Sequence, residues 1–502
     1  MPAPDHPDAS FDGGGLDCGN GLLLLIRRHI DPLEPGQVLE VRSTEPSVEE
    51  DLPAWARLTG NELVSRTRTG DVRNYLIRKA GSPTIRSAEL GMRNPDPASV
   101  SSSSFRTPNS ALRIPPLSVM GVGSWPRPTW LVRALHDRLS GRMPEDEFER
   151  TADDAVRLAV AAQERAGANV VTDGEQRRDN YASAVAARLD NCQLIPVTDL
   201  LPYVTDPDHF AEELRALDVP ADRVRHPAVF GRISRTKSLA GPELDFARSV
   251  TDRPVKVALP GPYLLTRTMW LECVSEKAYP DRESLARDVV TVLRAEAEDL
   301  LAAGAAIVQF DEPVLTEVVF SRPAAARRSF MCGALGDRRE PEEELGFAGS
   351  LIRAVIDGLP RERVALHVCR GNWSRDESVA LTGAYTPLVP LLATLPVGAF
   401  FLELATPRAG DLAPLADLPT SCRIGVGVVN QKLDRVESVE EIVAKAEAAA
   451  RVFGPERVLL NPDCGFATFA DSPVASAAVA EAKLGAIVRA ARVLRERFGV
   501  GG

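Results

Sequence analysis

Nothing near the N-terminus of this 502-residue chain would cross a membrane, because the longest apolar run there, Leu22–Ile26, is far too short. That run also lacks the basic flank and small-residue cleavage site of a secretory signal. Cysteine is scarce. Seven residues scattered along the chain exclude a disulfide framework and leave reduced thiols available for metal or sulfur chemistry. A basic surplus is absent as well: 59 Lys and Arg stand against 70 Asp and Glu, a formal charge of -11. A general binder of nucleic acid or anionic membrane would need a basic face. These absences predict a cytoplasmic protein whose partners are small molecules. What is present, 44% hydrophobic and 26% charged residues, describes a globular chain. Its length exceeds what one ordinary core supports, so more than one domain is expected.

The first fifteen residues, rich in Pro, Asp and Ala, read as a disordered N-terminus, 1–15. Residues 16–80 carry a compact pattern of their own. Gly21–Ile30 is helix-like, Pro35-Gly36 is a turn, and Val38–Val41 alternates like a strand. Ser47–Thr59 reads as a second helix with Gly60 as its stop. Glu62–Arg68 and Val72–Arg78, joined by Thr69-Gly70-Asp71, read as a β-hairpin. This order predicts a small two-layer α/β sandwich. Residues 81–113, with Pro95, Pro97, Pro108 and the run Ser101–Ser104, read as a linker.

From 114 to 502 short apolar strands alternate with long helical stretches. The candidate strands are Ser118–Gly121, Asn169–Thr172, Val255–Leu259, Ala306–Phe310, Val364–His367, Phe400–Leu404, Ile424–Val429 and Val458–Asn461. Between them lie helical patterns such as Arg282–Ala303 and Ser438–Val452. Repeated units of this length imply parallel strands with helical crossovers, and eight of them predict a (β/α)8 TIM barrel. An open doubly wound sheet is the competing fold. A ninth candidate strand, Ala228–Ile233, falls in a segment rich in Pro and charge and is placed in an excursion.

Barrel enzymes carry their chemistry where strands run out into loops. His367 and Cys369 end one strand, and their i, i+2 spacing directs both to one face. Glu403 ends the next strand, and Cys464 follows the last. An imidazole, two thiols and a carboxylate form a borderline-soft donor set that suits zinc, Zn2+. Zinc would hold a substrate thiol as its thiolate near neutral pH. Singly, each of these residues reads as well as a buried hydrophobe or a satisfied core histidine. Together, all at strand ends, they favour a metal site.

The segment resembles the C-terminal catalytic barrel of cobalamin-independent methionine synthases and their shorter relatives. The resemblance rests on Gly123-Ser124-Trp125-Pro126, Asp173-Gly174-Glu175, Gly261-Pro262, Asp311-Glu312-Pro313, His367-x-Cys369, Glu403 and Asn461-Pro462-Asp463-Cys464-Gly465, in the family's order. It implies that His367, Cys369, Glu403 and Cys464 are zinc ligands. It also implies that Ser124, Glu175 and Asp311 hold the amino and carboxylate ends of a homocysteine-like thiol, which accepts a methyl group from a folate or another donor. A carboxylate at a strand end can receive an ammonium through charge-assisted hydrogen bonds, or instead pair with neighbours such as Arg177 and Arg178. Those arginines could alternatively read the anionic group of another thiol acceptor. Three features depart from the family. No counterpart of its second, N-terminal barrel is evident. Lys432, after Gly425-x-Gly427, stands where a proton-donating histidine is usual, as an electrostatic group or a solvated surface residue. No aromatic residue matches the position that would stack on a folate ring.

Residues 16–80 resemble a TusA-type sulfur-carrier domain through Leu16-Asp17-Cys18, Pro35-Gly36, Asp51-Leu52-Pro53-Ala54-Trp55, Thr59-Gly60 and Tyr75-Leu76-Ile77-Arg78-Lys79. The resemblance implies that Cys18, just before a helix whose N-terminus stabilises an anion, carries a persulfide loaded by a sulfurtransferase. Here Cys18-Gly19-Asn20-Gly21 replaces the usual Cys-Pro-x-Pro opening. The alternative is a retained small domain in which Cys18 is structural, or a sulfur-relay protein using the barrel as a scaffold.

Overall fold

The computed structural model describes residues 6–16, 22–80, 114–197, 199, 225–270, 278–320, 339–372 and 374–500. Cys18 and the expected linker 81–113 lie outside the described residues. Two compact units emerge, one within residues 1–113 and one that takes in everything from Ile114 onward.

The N-terminal unit holds a four-stranded sheet in the order β1-β2-β4-β3. Its strands are β1 (Ala9–Asp12), β2 (Val38–Ser43), β3 (Glu62–Thr69) and β4 (Val72–Arg78), with helices Leu23–Ile30 and Val48–Leu58. Both expected helices, the strand and the hairpin form. Along β4 alternate residues Arg73, Tyr75 and Ile77 are buried, the period expected of a sheet covered on one face. Strand β1 corrects the expectation of a disordered start, because it pairs parallel to β2 with Ala9 opposite Leu39. Edge pairing runs through main-chain groups and needs little apolar side chain, so composition did not reveal it. The Asp8 carboxylate fastens the edge further by accepting the Val38 N–H at 2.7 Å.

The second unit is built on a six-stranded parallel sheet, β12-β11-β10-β9-β8-β7. The strands are β7 (Lys256–Pro260), β8 (Ile307–Asp311), β9 (Val364–Val368), β10 (Ala399–Leu402), β11 (Arg423–Val429) and β12 (Val458–Pro462). Two shorter staves close the ring: Val119 bridges Leu460, Met120 bridges Val170, and Val171 bridges Val255, all parallel. These are the eight segments read from the sequence, and their closure excludes the open sheet. Strand period two sorts side chains between two cores. Met120, Val170, Ile307, Ala365, Ala399, Phe401 and Leu459 fill the barrel interior. Their neighbours Val119, Val171, Val308, Leu366, Phe400 and Leu460 belong to the larger core that includes Leu285, Val289 and Leu293 of the helix Arg282–Ala302. The ninth strand does lie in an excursion: β5 (Cys192–Pro196) and β6 (Arg225–Val229) pair antiparallel outside the barrel.

Candidate metal centre

The strands of the large sheet end on one rim, and the motifs stand there. His367 is the fourth residue of β9 and Cys369 follows its last. Cys464 lies two residues beyond β12. Their ligand atoms all lie within 4.8 Å of one another, and all three residues are buried. The two sulfurs are 3.5 Å apart, far beyond a disulfide bond, and Cys464 Sγ is 3.5 Å from His367 Nε2. Tetrahedral zinc, with sulfur at about 2.3 Å and nitrogen at about 2.0 Å, separates two sulfurs by about 3.8 Å and sulfur from nitrogen by about 3.5 Å. Cys464 therefore already stands from both other donors at about the spacing that such an ion requires.

The histidine is set up as a ligand. Its Nδ1 lies 3.1 Å from the Phe401 carbonyl, which can only accept, so Nδ1 carries the proton and Nε2 offers its lone pair to the cluster. Burial holds its pKa down to about 4 and keeps the ring neutral. The thiols are pushed the other way. The Cys464 pKa is raised by its hydrogen bond with Cys369 and by burial. For Cys369 the bond to Cys464 pulls the pKa down, but burial and Glu403 outweigh it. Two buried thiols beside a carboxylate stay protonated unless a cation joins them, which is the behaviour of a thiolate metal site.

Glu403, the fourth expected ligand, follows β10 and stands just outside that 4.8 Å group. Its carboxylate hydrogen-bonds the Cys369 thiol, accepts the Arg370 N–H at 2.8 Å and pairs with Arg408 at 3.4 Å. Asp463 sets the loop that carries it. Asp463 Oδ1 accepts the N–H groups of Leu404 and Ala405, both at 2.8 Å. Glycine at 427 makes room, since a Cβ there would lie 2.1 Å from that oxygen. The Asp463-Cys464 pair thus supplies a candidate metal donor and the clamp for the neighbouring loop.

Ser124, Glu175 and Asp311 line the same cavity as His367, Cys369 and Cys464. Glu175 follows the Val170–Val171 stave in a left-handed turn, φ 54°, after Gly174 at φ 74°. The turn is tied by the Asp173 carboxylate on the Glu175 N–H and by Arg127 on the Glu175 carbonyl at 2.6 Å. Gly123 is required opposite, because a Cβ there would sit 2.2 Å from Glu175 Oε1. Gly465 does the same for Ser124 Oγ, again at 2.2 Å. Burial raises the Glu175 pKa, and burial with Glu175 nearby lifts Asp311 to about 7. Two carboxylates held so uncomfortably in one cavity are suited to receiving a cation. Glu312, next in the triplet, is architectural: it accepts the N–H groups of Tyr263 and Leu264 at the start of the helix Pro262–Met269.

Three expectations change. Arg177 and Arg178 do not line the cavity and are paired within the protein: Arg177 with Glu149 and Asp153, and Arg178 with Glu243 at 2.5 Å. Neither is the direct partner of Glu175. Lys432 is not a solvated surface lysine, because it is 2% exposed and its Nζ donates to the Ser374 carbonyl at 2.7 Å. Burial lowers its pKa, and Glu403, Cys369 and Cys464 are among the groups whose charge it feels. Sequence reasoning also missed Asn372, Tyr181, Thr468 and Phe469 in the cavity wall. Asn372 and Thr468 each follow a ligand cysteine by three or four positions, a spacing that could have drawn attention to them.

A buried His/Cys cluster on the C-terminal rim of a (β/α)8 barrel, beside paired carboxylates, defines a class of metal-thiolate barrel enzymes. The family described as the cobalamin-independent synthase catalytic domain matches residues 211–492, and the chain belongs to it. A second family, sulfurtransferase TusA, matches residues 21–79, a stretch that begins just past Cys18. The chain is 28% identical over 346 residues to a methionine synthase of Sulfolobus acidocaldarius, covering 68% of this chain and 84% of that protein. It is 26% identical to the 5-methyltetrahydropteroyltriglutamate–homocysteine methyltransferase of Mycolicibacterium paratuberculosis, covering 72% of this chain but 41% of that longer protein. Among solved structures, the B12-independent methionine synthase from Shewanella sp. W3-18-1, in complex with selenomethionine, shares the fold. Its TM-score is 0.58 at 24% identity, covering 76% of this chain and 98% of that one.

Proposed function

We propose that the barrel is a zinc-dependent methyltransferase that moves a methyl group from a folate or another donor to the thiol of homocysteine or a close relative, giving methionine or a thioether. The observation that carries this reading is the set of three soft donors within 4.8 Å, opening onto the cavity lined by Glu175 and Asp311. His367, Cys369 and Cys464 would hold the ion, with Glu403 as the fourth donor. Bound there, zinc keeps the acceptor thiol deprotonated and still nucleophilic. Glu175 and Asp311 receive the acceptor's ammonium, Ser124 its carboxylate end, and the buried rim excludes water. Lys432 supplies positive charge close to Glu403 and the thiols. The ion pairs of Arg177 and Arg178 with Glu149, Asp153 and Glu243 support homocysteine over an acceptor thiol bearing a sulfonate or phosphate.

The N-terminal unit, with its sheet order and its match to the sulfurtransferase family, supports a sulfur-carrier role in which a sulfurtransferase loads Cys18. Its presence in the same chain makes a sulfur-bearing small molecule the natural substrate class of the barrel.

Zinc content by elemental analysis tests the barrel assignment. One zinc per chain in the wild type, lost in Cys464→Ser together with thiol methylation, is the expected result. Reduced protein that neither contains zinc nor takes it up would remove the reading and leave the barrel as a scaffold.

A further inference from the structure

The interior of the barrel holds a lysine that the metal site does not use. Lys256 opens β7, is 1% exposed, and its ammonium lies 4.2 Å from the Phe401 ring centroid. Its Nζ donates to Gln309 Oε1 at 2.7 Å, and Gln309 Nε2 donates to Asp311 Oδ1 at 2.7 Å. All three groups sit inside one barrel, with Gln309 two residues before Asp311 on β8 and so on the same face.

We infer that Lys256, acting through Gln309, is a positioning residue that presents the Asp311 carboxylate to the ammonium of the acceptor amino acid and so selects amino-acid thiols. This rests on the proposed reading of the cavity. A lysine ammonium has donors only, so it fixes which end of the Gln309 amide turns toward it. The amide N–H then necessarily faces Asp311 and occupies one of its oxygens, leaving the other to the ligand. Without the lysine the amide is free to turn its oxygen toward the carboxylate, and the two acceptors repel. Burial lowers the Lys256 pKa to about 7 while Asp311 and Glu175 raise it, so the protonated lysine offsets the mutual repulsion of these two carboxylates. A buried charge held by a single neutral amide is a costly arrangement, and orienting an ionised acceptor is a use that fits it.

Calorimetric titration of the zinc-loaded full-length chain with homocysteine and with its des-amino analogue mercaptobutanoate tests this. Wild type should bind homocysteine roughly tenfold or more tightly than the analogue, the worth of a charge-assisted hydrogen bond. In Lys256→Met that ratio should collapse toward one while the analogue still binds. Gln309→Met gives a second route that keeps the lysine in place: it cannot donate to Asp311, and it should lose the same discrimination. Variants that keep the wild-type ratio would overturn the inference, because a merely structural lysine would weaken both ligands alike. Wild type that fails to distinguish the two thiols would remove the reading of the cavity, and this inference with it.

Discussion

At the scale of residues, the rim is a set of short polar side chains made rigid by what lies next to them. His367 is turned by a carbonyl, Glu403 by the Asp463 clamp, and Asp311 by Gln309. Asp463 is the clearest case, because it touches no ligand atom yet fixes the loop of one. Asp463→Ala should leave the fold intact and weaken metal affinity by roughly 10- to 100-fold, the usual cost of removing a group that orients a ligand. Competition with a chromophoric chelator measures it. Lys432 allows a sharper test. If its charge serves the chemistry, Lys432→Met should lower turnover on the order of a hundredfold with zinc content unchanged. A variant with normal turnover would reduce the lysine to a tether for the Ser374 carbonyl. The cluster of His367, Cys369 and Cys464 was legible in the sequence because its members stand at strand ends in i, i+2 and strand-to-loop positions. Lys432 was misplaced as a surface alternative, since a lysine's burial is decided by the loop that folds over it and leaves no local pattern.

At the scale of elements, the six paired strands and the two short staves were legible from their apolar runs, and the helices from the long helical patterns between them; the structure adds their caps. Ser438 forms a capping box with Glu441, and Asp281 caps the helix Arg282–Ala302. The short strand β1 was not legible, for its hold is in the main chain. The β5–β6 excursion carries its own test. His226, on β6, is fully buried with its ring nitrogen on the Thr268 carbonyl, and burial lowers its pKa to about 4. A histidine depressed in the folded state binds its proton more readily when unfolded. Stability is therefore complete above about pH 6.5 and falls as pH drops from there toward 4. The loss should reach about 2 kcal/mol at pH 5. His226→Gln should flatten this part of the melting-temperature profile, and an unchanged profile would place the acid sensitivity elsewhere.

At the scale of the whole molecule, the chain joins two units that match different families, each with its own buried residues. Unfolding should accordingly proceed in more than one step. Chelation of the metal should lower the melting temperature of the barrel transition and leave that of the N-terminal unit where it was, because only the barrel loses a bound ligand. Differential scanning calorimetry with and without chelator resolves the two.

The barrel's closure is uneven. His367, Cys369, Cys464 and Asp311 stand on strands of the continuous six-stranded ladder or directly after them, whereas Ser124 and Glu175 follow the two staves joined by single bridges. Short ladders open at lower free energy than long ones. Amide hydrogens of residues 118–120 and 169–171 should therefore exchange with solvent sooner than those of β8 to β12. An acceptor grasped by both Glu175 and Asp311 would span this seam, so that recognition of the amino group acts as a cross-brace and slows exchange in the two staves.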